Sequence, residues 1–121
     1  MRTESGAPSQ AAARFPQLKA CESLPEGVRL HLAIPPDLAW FEGHFPSRPV
    51  LPGVAQIAWV VYYARRHFRF SHDPSSIERV KFLEAVPLDR PLLLELQPKE
   101  NRVNWLLSAG GTLLSRGRLS F

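Results

Sequence analysis

One histidine and one glycine are the residues of this chain whose types and spacing could do chemistry together. His44 lies in the segment 37–51, which is dense in aromatics, proline and glycine and cannot be regular structure over its length. Pro52 and Gly53 follow at the start of an apolar segment, Val54 to Ala64. Free N–H groups at a helix start attract negative charge, and a glycine there lets a ligand oxygen approach the backbone. The pair predicts a base beside an oxyanion site.

The apolar segment predicts a buried central helix over about 52 to 68, which would position the glycine. Pro52 suits the first turn of a helix, where its missing N–H group is not required. Arg65, Arg66 and His67 at the far end complement the negative end of the helix dipole. Because this helix is apolar on nearly all sides, the rest of the fold must cover it.

A sheet is the other predicted element. Apolar and polar residues alternate strictly from Gly27 to Ile34, which is typical of a half-buried strand. Gly110-Gly111 predicts a tight hairpin near the end of the chain. Further strand-like runs are predicted at 77–86, 91–97, 102–109 and 112–121. Antiparallel strands around one apolar helix predict an α+β domain, with a second copy covering the other face or the edge of the sheet.

Length and charge limit the possible functions. The chain has 121 residues, which predicts a single domain over 15–121 after a loose polar arm at 1–14. A net charge of +4 and a pI near 9.8 leave nucleic acid, an anionic membrane surface or an acidic protein as partners. The arginines are spread out and no RNA-reading or zinc-finger motif accompanies them. Nucleic acid therefore ranks below an acidic protein partner, and a solvated positive face without a partner is the alternative.

Several classes of protein are not expected. The single Cys21 excludes an internal disulfide and favours the cytoplasm. No metal site is expected, because His31, His67 and His72 lack metal-ligand spacing. A chain of this size has no room for a separate cofactor domain, and no cofactor is expected. The longest apolar run is too short to span a bilayer, so no membrane span is expected either.

Two segments carry a resemblance to a known family. Residues 43–54 contain G-H-F-P-x-x-P-V-x-P-G-V, which resembles the signature of the 3-hydroxyacyl-carrier-protein dehydratases with the hot-dog fold. Residues 77–96, IERVKFLEAVPLDRPLLLEL, are similar to a strand pair of that family. The longer phrase LAWFEGHFPSRPVLPGVAQIAW most resembles the small dehydratase-like proteins of aryl-polyene pigment pathways. The resemblance implies an antiparallel sheet wrapped around one central helix.

The resemblance also implies a role for each residue of the motif. In the family, the histidine removes the C2 proton of a 3-hydroxyacyl thioester, while the glycine N–H at the helix start holds the thioester carbonyl. Carried over, His44 is the base and Gly53 is the carbonyl donor. The substrate tunnel would be lined by Phe45, Pro52, Val54 and Ala58. The implied partners are an acyl carrier protein, whose phosphopantetheine arm enters the tunnel, and a second identical or related chain.

Position 58 departs from the family pattern. The family has Glu or Asp five residues after the glycine to assist the leaving hydroxyl, whereas Ala58 has no proton to give. One helical turn on, Tyr62 could hydrogen-bond the substrate hydroxyl or simply fill the tunnel wall. Three functions stay open: a dehydratase, a non-catalytic or half-active subunit whose related partner supplies the acid, and a hot-dog thioesterase.

Two further features have alternative interpretations. The cluster of Arg65, Arg66 and Arg69 could dock the acidic surface of a carrier protein, or it could stabilise the C-terminus of the helix. Gln56 lies on a different helix face from Ala58, where it is expected to bond to backbone or to a dimer contact.

Overall fold

The computed structural model describes residues 15–35, 51, 53–87 and 89–121. These residues form a six-stranded antiparallel sheet and one helix, which confirms the predicted α+β architecture. The elements are β1 (Gln17–Leu24), β2 (Gly27–Ala33), α1 (Gly53–Phe68), β3 (Ser76–Phe82), β4 (Leu92–Lys99), β5 (Arg102–Ala109) and β6 (Thr112–Ser120). The arm predicted for 1–14 lies outside the described residues.

The sheet has the strand order β1-β2-β4-β5-β6-β3, so β1 and β3 are its edges. Alternation along the central strands determines which face is buried. In β5, Val103, Trp105 and Leu107 are buried, and in β4 Leu92 and Leu94 are buried. These side chains join Ala55, Trp59, Val60 and Ala64 of α1 in one core. We call the face of the sheet that packs on α1 the inner face, and the opposite one the outer face.

The first strand was not predicted from the sequence. β1 pairs with β2 through the turn at Pro25-Glu26, yet all but one of its residues are exposed. Because a strand exposed on both faces needs no apolar alternation, β1 carries no periodic signal. It belongs to the domain because its backbone pairs with β2.

The predicted hairpin at Gly110-Gly111 is confirmed. Both glycines have positive φ, 56° and 84°, and they connect β5 to β6. Positive φ at both central residues is what the tight I′ hairpin turn requires, and glycine adopts it without steric cost.

The edge strand β3 is shorter and less regular than predicted. It ends at Phe82, whereas the sequence predicted a strand to Val86. A bulge interrupts its pairing with β6 between Glu78 and Lys81, and Arg79 within it has a φ of 57°. Beyond the strand, the amides of Leu83 and Glu84 both donate to the carbonyl of Leu114. Because both amides share one carbonyl of β6, the regular ladder ends at Phe82.

A single chain covers only one face of α1. Among its residues, Trp59 and Val60 are buried against the sheet, but Val54 is 65% exposed. Ile57 and Val61 are only partly buried. An apolar helix face thus lies open on the side away from the core.

Candidate functional site

The start of α1 is closed on one side by an aromatic ring. A Cβ placed on Gly53 would lie 2.7 Å from Cζ of Phe82, which is closer than side-chain carbons approach one another. Phe82 is the last residue of β3 and remains 49% exposed. In the sequence, Phe82 belongs to the segment 77–96 that resembles a strand pair of the family, but the ring was given no role. The structure shows that it packs directly on the proposed carbonyl-binding glycine.

An open groove of about 750 Å³ follows the uncovered face of α1. Its helix wall carries Val54, Ala58 and Tyr62, three of the residues predicted for the site. The facing wall is formed after the helix, by Phe70, Asp73, Pro74 and Ile77. The groove is mostly apolar, so it suits an acyl chain better than a polar ligand.

The ring of Tyr62 contacts an aromatic ring and a guanidinium group. It stacks on Phe15 at a centroid distance of 4.4 Å, and the guanidinium of Arg66 lies 5.3 Å from its centroid. Its neighbour Tyr63 is buried, donates its hydroxyl to the carbonyl of Pro16 at 3.0 Å, and has a pKa raised to about 12 by burial. Residues 15 and 16 are therefore fastened to the helix beside the groove.

The arginines after the helix are partly engaged within the chain. Arg65 donates from Nε to the carbonyl of Phe70 at 3.3 Å and from Nη1 to Oδ1 of Asp73 at 2.8 Å. Arg66 lies over Tyr62, while Arg69 follows the helix with a φ of 59°. Arg65 thus ties the end of α1 to the loop that forms the second wall of the groove.

One polar side chain of α1 is buried without a complete set of partners. Gln56 is 4% exposed, and its Oε1 accepts no hydrogen bond in the part of the chain that the structure describes. Gln56 does not line the groove that Ala58 and Tyr62 share. The expected backbone bond of this amide oxygen is therefore not found among the described residues.

Three of the predicted site residues cannot be placed beside this groove. His44, Phe45 and Pro52 lie outside the described residues, so their roles stay predictions. The structure does bring Gly53, Val54, Ala58 and Tyr62 onto one helix that borders one groove.

The described residues also limit other kinds of site. Within 15–35, 51, 53–87 and 89–121, no group of three or more His, Cys, Asp or Glu residues is arranged to hold a metal ion. No helix in these ranges is long and apolar enough to cross a membrane.

Comparison with known proteins places the chain in a family. The model of the ApeI-like family, described as ApeI dehydratase, matches residues 20–118. A 3-hydroxyacyl-[acyl-carrier-protein] dehydratase FabZ of Sorangium cellulosum (strain So ce56) is 32% identical over 94 residues. That match spans 66% of this chain and 61% of the length of the relative.

Two solved structures share the fold. The dehydratase heterocomplex ApeI:P from Xenorhabdus doucetiae superposes with a TM-score of 0.79 at 33% identity, over 87% of this chain and 96% of that one. An uncharacterized protein from Erwinia carotovora subsp. atroseptica gives a TM-score of 0.74 at 31% identity, over 87% and 94%. With its antiparallel sheet, single helix and family match over residues 20–118, the chain belongs to the ApeI-like dehydratases of the hot-dog fold.

Proposed function

We propose that this chain is one subunit of a dehydratase that acts on 3-hydroxyacyl thioesters carried by acyl carrier protein. In this elimination, a base removes the proton from C2 and the C2=C3 double bond forms. The C3–O bond breaks, and the hydroxyl leaves as water after it takes a proton from an acid. The chain would supply His44 as the base, in fatty-acid or pigment biosynthesis in the cytoplasm.

The helix start supports a role for Gly53 in holding the thioester carbonyl. The N–H groups of the first turn of α1 have no partner within the helix, and the helix dipole makes this end positive. Negative charge develops on the carbonyl oxygen as the C2 proton leaves, and a preorganised donor there is worth about 3 kcal/mol. The groove begins beside this turn, at Val54, so an acyl chain in it would bring its thioester near Gly53.

The observation that carries the proposal is that, among the residues that the structure describes, no available acid lines the groove. Ala58 stands where the family has its acid. Asp73, the carboxylate in the groove, is paired with Arg65 at 2.8 Å. Tyr62 is stacked on Phe15, and a phenol is a weaker acid for this step than the carboxylic acid of the family. We infer that a second, related chain supplies the proton.

The exposed apolar surface supports such a partner. Val54 is 65% exposed, Ile77 43%, Phe82 49% and Leu83 46%, and all four lie on the helix, along the edge strand β3 or directly after it. Clustered exposed apolar residues beside an unpaired strand edge are typical of a protein interface. The similarity to one chain of the ApeI:P heterocomplex favours a related dehydratase subunit as the partner, although a second identical copy offers the same surface.

The proposal is tested by restoring the acid. The purified chain is incubated with a 3-hydroxyacyl pantetheine thioester, and the conjugated enoyl product is followed by absorbance. The chain alone is expected to be slow, and Ala58→Glu is expected to gain about 10²-fold, the usual contribution of general acid catalysis. Ala58→Gln is the matched control, because it adds the same bulk without an acidic proton. His44→Ala in the Ala58→Glu background should remove the gain.

Other outcomes would contradict the proposal. Equal rates for the unaltered chain, Ala58→Gln and Ala58→Glu would mean that no acid is missing at position 58. Release of free thiol without enoyl product would indicate hydrolysis, which is the activity of a thioesterase. An Ala58→Glu variant that binds the thioester but forms no enoyl product would also contradict the missing-acid argument.

A further inference from the structure

The groove along α1 has two different ends. At the start of the helix it lies beside Gly53, which the ring of Phe82 contacts at the end of β3. At the end of the helix its lining changes to residues of the following loop, among them Phe70 and Asp73. An acyl chain whose thioester lies at Gly53 would therefore extend along the helix towards this loop.

The far end of the groove is closed by contacts between its two walls. Arg65 belongs to the helix wall and Asp73 to the facing wall, and Nη1 of the arginine donates to Oδ1 of the carboxylate at 2.8 Å. The Nε of Arg65 also donates to the carbonyl of Phe70 at 3.3 Å. We call Arg65, Phe70 and Asp73 the end wall.

The end wall is supported from behind by the sheet. The ring of Phe70 stacks on that of Phe121, directly after β6, with a centroid distance of 3.9 Å and an angle of 4° between the planes. The N–H of Phe121 donates to the carbonyl of Asn101 at 2.7 Å, and the side-chain amide of Asn101 donates to the carbonyl of Phe121 at 3.0 Å. Rotation of Phe70 out of the end wall would break this stack.

The end wall also differs from the rest of the groove in charge. The helix wall before it is apolar, with Val54, Ile57 and Val61. The side chains of Arg65 and Asp73 are 36% and 80% exposed, so both charges are hydrated. An alkyl chain that reached them would remove water from the charges and offer no hydrogen bond in return, which costs free energy. Each methylene therefore gains from burial up to the end wall and not beyond it.

The position of the end wall corresponds to a definite chain length. Val54 and Arg65 are eleven residues apart on α1, which is about 16 Å along the helix axis. An extended chain advances about 1.2 Å per bond, as an extended peptide backbone does. The groove therefore holds about 13 carbons between the start of the helix and the end wall.

We propose that the end wall limits the acyl chain of the substrate to about 13 carbons, which makes its three members specificity-determining residues; this rests on the proposed function, which places the thioester at Gly53. A partner on the helix and β3 would cover the open side of the groove and leave the end wall in place. All of the contacts that hold Arg65, Phe70 and Asp73 lie within this chain.

The test measures binding without chemistry. Saturated acyl-pantetheine thioesters have no 3-hydroxyl group and cannot be dehydrated, so calorimetry with the purified chain gives their affinity alone. Each added methylene is expected to tighten binding by up to about fourfold until the chain has about 13 carbons, and longer chains should gain nothing. In Phe70→Ala the gain should continue for about two further carbons or more. Phe68→Ala is the matched control, because this ring lies at the same end of the helix and does not line the groove.

Two further variants keep the test independent of how well Phe70→Ala folds. Arg65→Met/Asp73→Ala removes the exposed charges and should also extend the limit. Its matched control is Arg29→Met/Glu95→Ala, which removes an ion pair of 3.1 Å on the outer face of the sheet. Val61→Phe narrows the groove seven residues after Val54, about 10 Å along the axis, and should shorten the limit to about nine carbons.

The outcomes separate this proposal from the proposed function. An unchanged length limit in folded Phe70→Ala and Arg65→Met/Asp73→Ala would overturn the end wall, and so would an equal shift in the two control variants. Affinity that does not depend on chain length in the unaltered chain would overturn it as well. Any of these results leaves the dehydratase proposal standing if Ala58→Glu forms enoyl product from a short 3-hydroxyacyl thioester. A length limit that moves as expected, without any enoyl product from Ala58→Glu, would refute the chemistry and keep the end wall.

Discussion

The ring of Phe82 lies so close to Gly53 that a Cβ on this glycine would come within 2.7 Å of its Cζ atom. The glycine therefore has a packing reason to lack a side chain, in addition to the chemical one. These two reasons make different predictions, because Phe82 is half exposed and can move, whereas the approach of a ligand to the helix start depends on the glycine alone.

The first prediction separates these two reasons. Gly53→Ala should change the free energy of unfolding by no more than about 1 kcal/mol, because alanine favours the helix and the exposed ring can shift. Dehydration, measured in the Ala58→Glu background, should fall by about 10²-fold because the thioester carbonyl is displaced. In Gly53→Ala/Phe82→Ala the clash is gone, and activity should stay low. Full recovery in this double variant would show that the glycine serves only to accommodate the ring.

A second prediction concerns Gly117 of β6, which lies beneath the buried ring of Trp105. A Cβ at this position would overlap with the indole, and the ring has no room to move because Trp105 is 1% exposed. Gly117→Ala should therefore destabilise the fold by about 1–3 kcal/mol, the usual cost of overpacking a core. Urea unfolding of this variant, of Trp105→Leu and of Trp105→Leu/Gly117→Ala gives the comparison. If the clash is the cause, Trp105→Leu should lower the free energy of unfolding less in the Gly117→Ala background than in the unaltered chain.

A substitution in the turn between β4 and β5 is predicted to stabilise the fold. Glu100 is exposed and has a φ of 59°, a conformation that costs a residue with a side chain about 1 kcal/mol or more. Glu100→Gly should raise the thermal unfolding midpoint by relieving this strain. Glu100→Ala keeps the strain and should leave the midpoint nearly unchanged. An equal rise in both variants would point to the removed charge instead.

His67 gives a prediction about pH. Burial and the nearby charge of Arg66 lower its pKa below the ordinary value of 6.5. The folded chain therefore holds this proton less tightly than the unfolded chain, and the stability due to neutral His67 is complete above pH 6.5 and is lost as the pH falls. In chemical unfolding, the unaltered chain should lose stability relative to His67→Gln on acidification. Arg66→Gln should reduce the effect; a difference independent of pH would contradict the assignment.

The extent to which the fold could be predicted depends on how each element is buried. The β5 strand was predicted with its observed bounds, because Val103, Trp105 and Leu107 are buried on one face and leave an alternating pattern. The β1 strand left no such pattern, because it is an exposed edge whose position is fixed by backbone pairing with β2. Alternating patterns in the sequence reflect the burial of side chains, whereas the backbone pairing of an edge strand does not require that burial.

The candidate site also combines residues that could be predicted from the sequence with contacts that could not. Gly53, Ala58 and Tyr62 could be assigned to one helix from their spacing alone, and the structure places the latter two along one groove. Contacts between distant parts of the chain could not be predicted: Phe82 at the glycine and Phe15 on Tyr62 both depend on the tertiary fold.

The bulge at Arg79 determines to which face of the sheet the last side chains of β3 point. Side chains alternate between the two faces of a strand, so one residue added or removed exchanges the faces of everything beyond it. If residues 78–82 instead paired with β6 without the bulge, Lys81 would lie opposite Ser115 on the inner face, beside the start of the helix, and Phe82 would point to the outer face. One irregular residue on an edge strand thus decides whether an ammonium group or an aromatic ring adjoins Gly53.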